Sequence, residues 1–208
     1  ERLVGLGDVY KRQPRDIELE KVIQKYKDQT DSKYCRVVTR FADRYTHPAR
    51  NQETLLGKLL ADAFKDVLGV DIMFLGSGSI RDEELGPIVQ YRDLLQVFPY
   101  NDEIYRICVT GEQLRRMVKR ILRNEGDHAE YYQFSRGFRI EFNQKEQELI
   151  SLSFNGYEVR DNDQYKLGLQ SFHLKNIQDF LDVSLEEVTA IKRPKIISTK
   201  STDVLEEY

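Results

Sequence analysis

Apolar residues recur at helical spacing in three stretches of the chain and predict three long helices. In the first stretch, Pro14 stands near the start of the helix. The second runs from Thr54, a predicted N-cap, to Gly69, a predicted C-terminal stop. The third covers residues 111–122. The apolar positions of the three helices are, in chain order, Ile17, Leu19, Val22, Ile23 and Tyr26; Leu55, Leu56, Leu59, Leu60, Ala63, Phe64 and Val67; and Leu114, Met117, Val118, Ile121 and Leu122. From the second helix, Leu55, Leu59 and Phe64 are assigned to the core.

Short apolar or alternating runs predict strands between and after these helices. They are "YCRVVTRF", "VDIMFL", "EIYRICVT", "SRGFRIEFN", "LISLSFNG" and "QYKLGLQSF", and turn residues separate the last three. The pieces "YRDLLQVF", "LEEVTAI" and "TDVLEEY" predict short helices, and "THPARNQE" a loop. The sequence contains no internal repeat and no clear linker. We therefore predict one α+β (mixed α/β) domain from Pro14 to Tyr208.

The first residues look foreign to the rest of the chain. The run "DVYKRQ" resembles the in-frame translation of a transposon end used to prepare sequencing libraries. We therefore expect residues 1–13 to be a non-native or disordered leader, and we leave them out of the fold prediction. A native polar linker is the alternative. The last helical pattern stops midway, so we expect a fragment truncated at both ends, and the compartment stays open.

The charge balance excludes one class of partner. Lys plus Arg number 32 against 35 for Asp plus Glu, a net charge of -3, which offers no basic footprint for a nucleic-acid polymer. No apolar run approaches the roughly 20 residues that a membrane helix needs. Cys35 and Cys108 lie in strand-like apolar runs, which predicts buried free thiols and no disulfide framework.

The histidines and the Gly-Ser run show no catalytic motif by themselves. His47, His128 and His173 are far apart in sequence, and no CxxC or HExxH pattern exists. We interpret the first two as a loop and a turn residue, and His173 as a residue at a strand exit, where a site role is the less favoured interpretation. The run "GSGS" lacks both the nucleophile elbow and the Walker lysine.

The segment "MFLGSGSIR" nevertheless has features of an anion-binding loop. Small residues at the end of a buried strand let a backbone approach a ligand closely. Arg81 follows directly and is suited to a phosphate or carboxylate. Two other interpretations stay open: a tight strand-to-loop turn, and an ion pair between Arg81 and one of the acids at positions 82–84.

A series of spaced motifs between Arg50 and Leu122 resembles the C-terminal domain of the 5'-nucleotidase family, and the likeness continues faintly to about Phe180. That family, which includes UDP-sugar hydrolases and cyclic-nucleotide phosphodiesterases, shows E-x-x-x-G-N-L-x-x-D-A, N-G-G-G-I-R, Y-x-D-L-x-x-x-x-P-F and T-G-x-x-L in this order. The matching residues here are Glu53, Gly57, Leu59, Asp62 and Ala63; the run Gly76–Arg81; Tyr91, Asp93, Leu94, Pro99 and Tyr100; and Thr110, Gly111 and Leu114.

The resemblance implies a mixed sheet flanked by helices, in a domain that binds substrate and does not cleave it. Cleavage in the family belongs to a separate N-terminal metallophosphoesterase domain, where two divalent metals activate water. Its D-x-H, G-N-H-D/E and G-H-x-H motifs are absent from this sequence. The resemblance thus implies no catalytic residue, metal or other cofactor on this chain. It implies two partners, the metal-bearing domain and a nucleotide or related small phosphoester.

The resemblance also implies site residues. The loop residues Gly76, Ser77, Gly78 and Ser79 would line the pocket, and Arg81 would hold phosphate. Tyr100 and Phe172 would sandwich the base, unless they are core aromatics. Arg50 could replace the family arginine whose position here is Gln52, and Gln178 falls where a ribose-binding Asp would stand.

Departures from the family pattern keep other functions open. The family's first motif Asn is Gly76 here, and its ribose-binding Asp is Gln178. One alternative is a degenerate lid or dimerisation module without a nucleotide site. Another is a hydrolase domain for a different phosphoester.

Overall fold

The computed structural model describes residues 16–123 and 130–208, and the chain divides into two compact units, residues 1–36 and 37–208. The described part of the first unit is mainly helix α1 (Ile17–Tyr34), the first predicted helix. The Asp16 carboxylate caps it by accepting the N–H groups of Glu18 and Leu19. The apolar residues at positions 17, 19, 22, 23 and 26 are exposed along this helix. The proposed leader, residues 1–13, lies outside the described residues.

The second unit contains both strands and helices, with five successive strands between residues 132 and 170 in its second half. Its strands are β1 (Val37–Arg40), β2 (Tyr45–Thr46), β3 (Ile72–Gly76), β4 (Glu84–Leu85), β5 (Ile88–Gln90), β6 (Ile104–Thr110), β7 (Tyr132–Phe134), β8 (Phe138–Asn143), β9 (Glu148–Phe154), β10 (Tyr157–Glu158), β11 (Gln164–Gln170) and β12 (Lys195–Ser198). Its helices are α2 (Leu55–Leu68), α3 (Tyr91–Val97), α4 (Gly111–Arg123), α5 (Ser171–Lys175), α6 (Ile177–Leu181), α7 (Leu185–Ile191) and α8 (Ser201–Glu207).

A five-stranded mixed sheet forms the centre of this unit, in the order β12-β6-β11-β3-β7. The pair β11–β3 is parallel, and the other pairs of the sheet are antiparallel. A second, antiparallel sheet has the order β10-β9-β8, and β1–β5 and β2–β4 form two small pairs. The predicted α+β fold with a mixed sheet is confirmed. No helix among the described residues is both long and apolar enough to cross a membrane.

Strand β3 is buried on both faces and divides the core into two clusters. Successive side chains of a strand point to opposite faces. Ile72 and Phe74 therefore pack with the apolar face of α4, whereas Met73 and Leu75 pack with α2. This explains why the sequence of β3 is continuously apolar: each face of the strand is covered by a helix layer.

Helix α2 has the predicted ends but not the whole predicted core face. Thr54 accepts the Gly57 N–H at 3.0 Å as N-cap, and Gly69 has the left-handed conformation (φ 61°) that ends a helix. Phe64 is fully buried, and Leu59 packs against the core while partly exposed. Leu55 is 64% exposed, so its assignment to the core was wrong. One residue is about 100° of helix rotation, and Leu55 lies that far from the buried row led by Leu56.

The cysteine prediction was half right. Cys35 and Cys108 are free thiols, as expected, but both are half-buried. Cys35 caps the end of α1 and is not in a strand, whereas Cys108 lies within β6.

Candidate functional site

A cavity of about 370 Å³ lies where three segments of the main sheet come together. Strands β3 and β11 are parallel, so the loop after β3 and the helix after β11 meet at one edge of the sheet. Strand β6 runs antiparallel to β11, which brings the turn before β6 to the same edge. These segments contribute Gly78 and Ser79, Phe172, and Tyr100 respectively. The sheet order therefore assembles residues that are up to 94 positions apart in sequence, since 172 minus 78 is 94.

The two aromatic side chains of the cavity are accessible. Tyr100 is 41% exposed and Phe172 is 53% exposed, so neither is an ordinary core aromatic. Phe172 lies in the first turn of α5 and leans on Phe180, with ring centroids 5.8 Å apart. Two accessible aromatic faces in one cavity form an environment suited to a flat, apolar ring.

Arg81 stands beside Tyr100. Its guanidinium carbon is 5.7 Å from the centroid of the Tyr100 ring, a cation–π distance. Within residues 16–123 and 130–208 Arg81 makes no ion pair, and the nearby Glu84 pairs with Arg44 at 2.6 Å. The alternative interpretation, in which Arg81 is neutralised by its neighbouring acids, therefore has no support.

The Gly-Ser loop forms a wall of the cavity, but its backbone donors are largely used within the protein. The Ser77 N–H donates to the Tyr131 carbonyl at 2.8 Å, and the Arg81 N–H donates to the Val97 carbonyl at 2.9 Å. The Gly78 N–H donates to a carboxylate oxygen of Glu130 at 3.1 Å. A phosphate at this loop would thus rely on the side chain of Arg81 more than on backbone amides.

A buried histidine–carboxylate pair lies behind the loop. His173 Nε2 and the second oxygen of Glu130 are 3.0 Å apart, and His173 is 2% exposed. The His173 ring packs edge-on against Tyr132, with centroids 4.9 Å apart. The pair bridges α5 and the segment before β7, and it holds Glu130 against Gly78.

The same pair explains why Gly76 replaces the asparagine of the family motif. A Cβ atom on Gly76 would lie 2.6 Å from His173 Nε2 and 2.7 Å from Glu130 Oε1, and closer still to His173 Cε1. No side chain fits there while the imidazole is present. His173 and Glu130 thus occupy the space that a side chain at position 76 would enter.

Gln133 ties the loop to the start of α2. Its side-chain nitrogen donates to Ser77 Oγ at 3.0 Å and to the Gln52 carbonyl at 2.8 Å. Its oxygen accepts the Thr54 N–H at 2.9 Å, and the Gln133 residue is fully buried. A buried amide with all of these groups satisfied fixes the loop position.

Of the nine predicted site residues, four line the cavity: Gly78, Ser79, Tyr100 and Phe172. Gly76 and Ser77 lie behind it in the same loop, Arg81 contacts it only through the Tyr100 ring, and Arg50 and Gln178 are not among its lining residues. Arg50 is exposed, and its charge acts on His47. Gln178 lines a different cavity of about 490 Å³, whose other lining residues include Lys119 and Arg120. The structure therefore does not bring Gln178 together with Tyr100 and Phe172.

His47 is a buried loop residue, and His128 lies outside the described residues. The ring of His47 is 2.8 Å from Thr54 Oγ1, the N-cap of α2, and the residue is 4% exposed. Burial lowers the pKa of His47 below its usual 6.5. A hydrogen bond with the Ser77 backbone opposes this shift in part, and the positive charge of Arg50 adds a smaller effect that lowers the pKa.

We expect this histidine to make the protein less stable in mild acid. The unfolded chain takes up a proton near pH 6.5 while folded His47 resists it, so stability is present above that pH and is lost as the pH falls through it. Thermal melting at about pH 7.5 and about pH 5.5 should show a smaller loss for His47→Gln than for the unchanged protein. Equal losses would contradict the assignment.

Sequence reasoning missed three polar residues of the cavity: Asp102, Glu130 and Gln170. Asp102 follows Tyr100 by two positions, so the neighbourhood of that aromatic could have revealed it. Gln170 and Glu130 carry no such signal, because only the strand pairing brings them to the cavity.

The described residues contain no group of three or more His, Cys, Asp or Glu side chains that could hold a metal ion. The donor set of this part of the chain therefore does not fit a metal centre, and we derive no metal-dependent step for it.

Comparison with known proteins gives consistent matches. The family model described as "5'-nucleotidase, C-terminal domain" matches residues 30–183. Protein UshA of Escherichia coli (strain K12) is 24% identical over 121 residues, 58% of this chain and 22% of that protein. A 5'-nucleotidase of Vibrio parahaemolyticus is 24% identical over 162 residues, 76% of this chain and 27% of that protein.

A solved structure has the same fold. The NAD nucleotidase of Haemophilus influenzae superposes with a TM-score of 0.68 at 13% identity, over 94% of this chain and 39% of that chain. This chain therefore spans well under half the length of the proteins that it matches.

Proposed function

The chain belongs to the 5'-nucleotidase C-terminal domain family, and we propose that it is the substrate-recognition domain of a two-domain 5'-nucleotidase-like phosphoester hydrolase. The observation that carries the proposal is the shared cavity of Tyr100 and Phe172, with Arg81 beside Tyr100. Its ligand is a nucleotide or a related small phosphoester. The two catalytic divalent metals lie on a preceding metallophosphoesterase domain.

The aromatic pair provides the affinity for the base. Each ring offers an accessible face, and stacking needs only a π-face and not a particular hydrogen-bond pattern. Stacking of a base on one aromatic side chain contributes about 1–3 kcal/mol in nucleic-acid binders. The aromatic pair therefore supports binding even though the family's asparagine and ribose-binding acid are absent.

Arg81 provides the contact to phosphate. Its guanidinium has no ion pair within the described residues and lies beside the ring of Tyr100, which lines the aromatic cavity. A planar guanidinium can bind two phosphate oxygens at once. With the backbone donors of the loop largely occupied, this one side chain carries most of the phosphate affinity that the domain offers.

We expect weak binding of a nucleoside monophosphate by this chain, with a Kd of about 1 mM or higher. Tyr100→Ala and Phe172→Ala should each weaken it further, by about tenfold. An NMR titration that follows both ligand and protein signals can measure affinities in this range. In a longer protein that includes the metal-bearing domain, the same changes should raise KM.

Tyr157→Ala is the matched control, since Tyr157 is 80% exposed and lies in β10, outside the cavity. It should leave the titration unchanged. If Tyr100→Ala and Phe172→Ala behave like this control, the aromatic pair does not bind the base and the proposal is wrong.

The second candidate function is a module without a nucleotide site. It is favoured by the hydrogen bond from the Gly78 N–H to Glu130, which places a carboxylate where the family loop would receive an anion. The same titration separates the two candidates, because the module predicts no saturable shift at the cavity with any nucleotide.

A further inference from the structure

A chain of polar side chains runs along the wall of the aromatic cavity. The Ser79 hydroxyl donates to Gln170 Oε1 at 3.0 Å, and Gln170 Nε2 donates to Asp102 Oδ2 at 3.3 Å. All three residues line the cavity between the loop that carries Tyr100 and the helix that carries Phe172. This series of hydrogen-bonded side chains ends at the carboxylate of Asp102, which faces the same cavity as the two aromatic rings.

The direction of these hydrogen bonds follows from their chemistry. A carboxylate only accepts, so the amide nitrogen of Gln170 must be the atom that faces Asp102. The amide oxygen then faces the Ser79 hydroxyl, which can donate. Gln170 is 1% exposed and held at both ends, so it cannot turn over to offer Asp102 an oxygen.

The other oxygen of Asp102 is left to a ligand. Within the described ranges, 16–123 and 130–208, Oδ1 of Asp102 has no hydrogen-bond or ion-pair partner, and the residue is only half-buried. Oδ2 also retains an accepting lone pair beside the single bond from Gln170. The carboxylate can therefore accept two further N–H groups side by side.

The backbone under Asp102 is fixed before any ligand arrives. The buried Ser201 of α8 donates its hydroxyl to the Asp102 carbonyl at 2.5 Å. Thr202 donates to the side-chain oxygen of Asn101 at 3.2 Å. A group held in place in this way loses little conformational entropy when it binds.

The described residues that line the cavity include no arginine or lysine, and Glu130 is a second carboxylate among them, already engaged by His173. The interior wall therefore accepts hydrogen bonds and repels lone pairs. A ring bound between the aromatics is best matched if its polar edge consists of N–H donors.

We propose that Asp102 determines base specificity and selects a ring with two adjacent N–H donors, as on the N1–N2 edge of guanine. This inference rests on the proposed function, because it needs a base between Tyr100 and Phe172. Adenine and cytosine present one amino group beside a ring nitrogen lone pair, which would face the carboxylate. Uracil and hypoxanthine have a single N–H beside a carbonyl oxygen, which the carboxylate repels.

The test compares guanosine and adenosine monophosphates, which share ribose and phosphate. The unchanged chain should bind the guanosine compound about tenfold more tightly, since hydrogen bonds to a charged group are among the stronger ones. Asp102→Asn has nearly the same shape but offers one acceptor and one donor, the pattern complementary to an amino group beside a ring nitrogen. It should lose this preference or reverse it in favour of the adenosine compound.

Glu141→Gln is the control, because Glu141 is an exposed acid of β8 outside the cavity. It should keep the preference of the unchanged chain, and thermal melting should show that each variant is folded. If both nucleotides bind but Asp102→Asn leaves their ratio unchanged, or if the unchanged chain shows no preference, the role of Asp102 is refuted while the proposed function stands. If neither nucleotide binds, the proposed function fails and this inference fails with it.

Discussion

Replacing Gly76 by alanine should destabilise the protein by about 3 kcal/mol, the upper end of the range for overpacking a filled core. The added Cβ would enter the space of the buried His173 ring and of the Glu130 carboxylate. Neither group can retreat easily, because each is held by the other and the Glu130 carboxylate also accepts the Gly78 N–H. For a domain of this size, such a loss lowers Tm by about 6–12 °C.

A double-mutant cycle isolates the cause. His173→Ala removes the obstacle, so Gly76→Ala in that background should cost much less, with a coupling energy of about 2 kcal/mol. Gly78→Ala is the matched control in the same loop. Its Cβ would lie 3.0 Å from one Glu130 oxygen and 3.9 Å from the carboxyl carbon, with no backbone atom or ring in the way. A shift of a few tenths of an ångström relieves this contact, so a loss below about 1 kcal/mol is expected. Additive effects of the Gly76 and His173 changes would refute the explanation of the Asn-to-Gly departure.

Replacing Gly111 by alanine should be at least as damaging, by about 3 kcal/mol or more. Gly111 begins α4 and donates its N–H to the Asp163 carbonyl at 2.8 Å. A Cβ there would lie 2.8 Å from the carbonyl carbon of Arg160 and closer still to its oxygen. Since the obstacle is backbone, relief requires moving the segment between β10 and β11 away from the helix.

Gly69→Ala provides the comparison for this second change. Gly69 has φ 61° with nothing within 4 Å of the added Cβ, so only left-handed backbone strain remains, about 1 kcal/mol. Urea or thermal unfolding of both variants measures the difference. If Gly111→Ala is as stable as Gly69→Ala, the Arg160 backbone can move away from α4 at little cost and the predicted clash is wrong.

In the motif T-G-x-x-L, some residues are explained by their neighbours in the sequence and one only by a distant contact. Thr110 and Gln113 exchange hydrogen bonds between side chain and backbone, at 2.9 and 3.2 Å, which is a capping box formed by residues three positions apart. Leu114 belongs to the apolar periodicity and is fully buried. No nearby residue in the sequence requires a glycine at position 111. A side chain there is excluded by the backbone carbonyl of Arg160, which lies 49 positions later in the chain.

Strand β7, by contrast, has no pattern from which the sequence could predict it. Its three residues, Tyr132–Phe134, are all buried, and such a short run shows no alternation that could predict a strand. It exists because Phe74 and Leu75 of β3 offer an unpaired edge for it. Gln133 then comes to lie where it can bond both Ser77 and Thr54.

The sequence by itself determined the three long helices, three of the short ones, six of the twelve strands that the structure describes, the two ends of α2, the α+β class and the family, because periodicity, capping and motif spacing are properties of neighbouring residues. It did not predict α5 and α6, which follow β11 directly. It also indicated Arg81, Tyr100 and Phe172 through the resemblance. Only the tertiary structure decided that Tyr100 and Phe172 share a cavity, that Gln178 lies elsewhere, and that Asp102 and Glu130 line the wall. These outcomes depend on the strand order β6-β11-β3. Long-range pairing and burial set this order, and it produces no periodic pattern in the sequence from which it could be predicted.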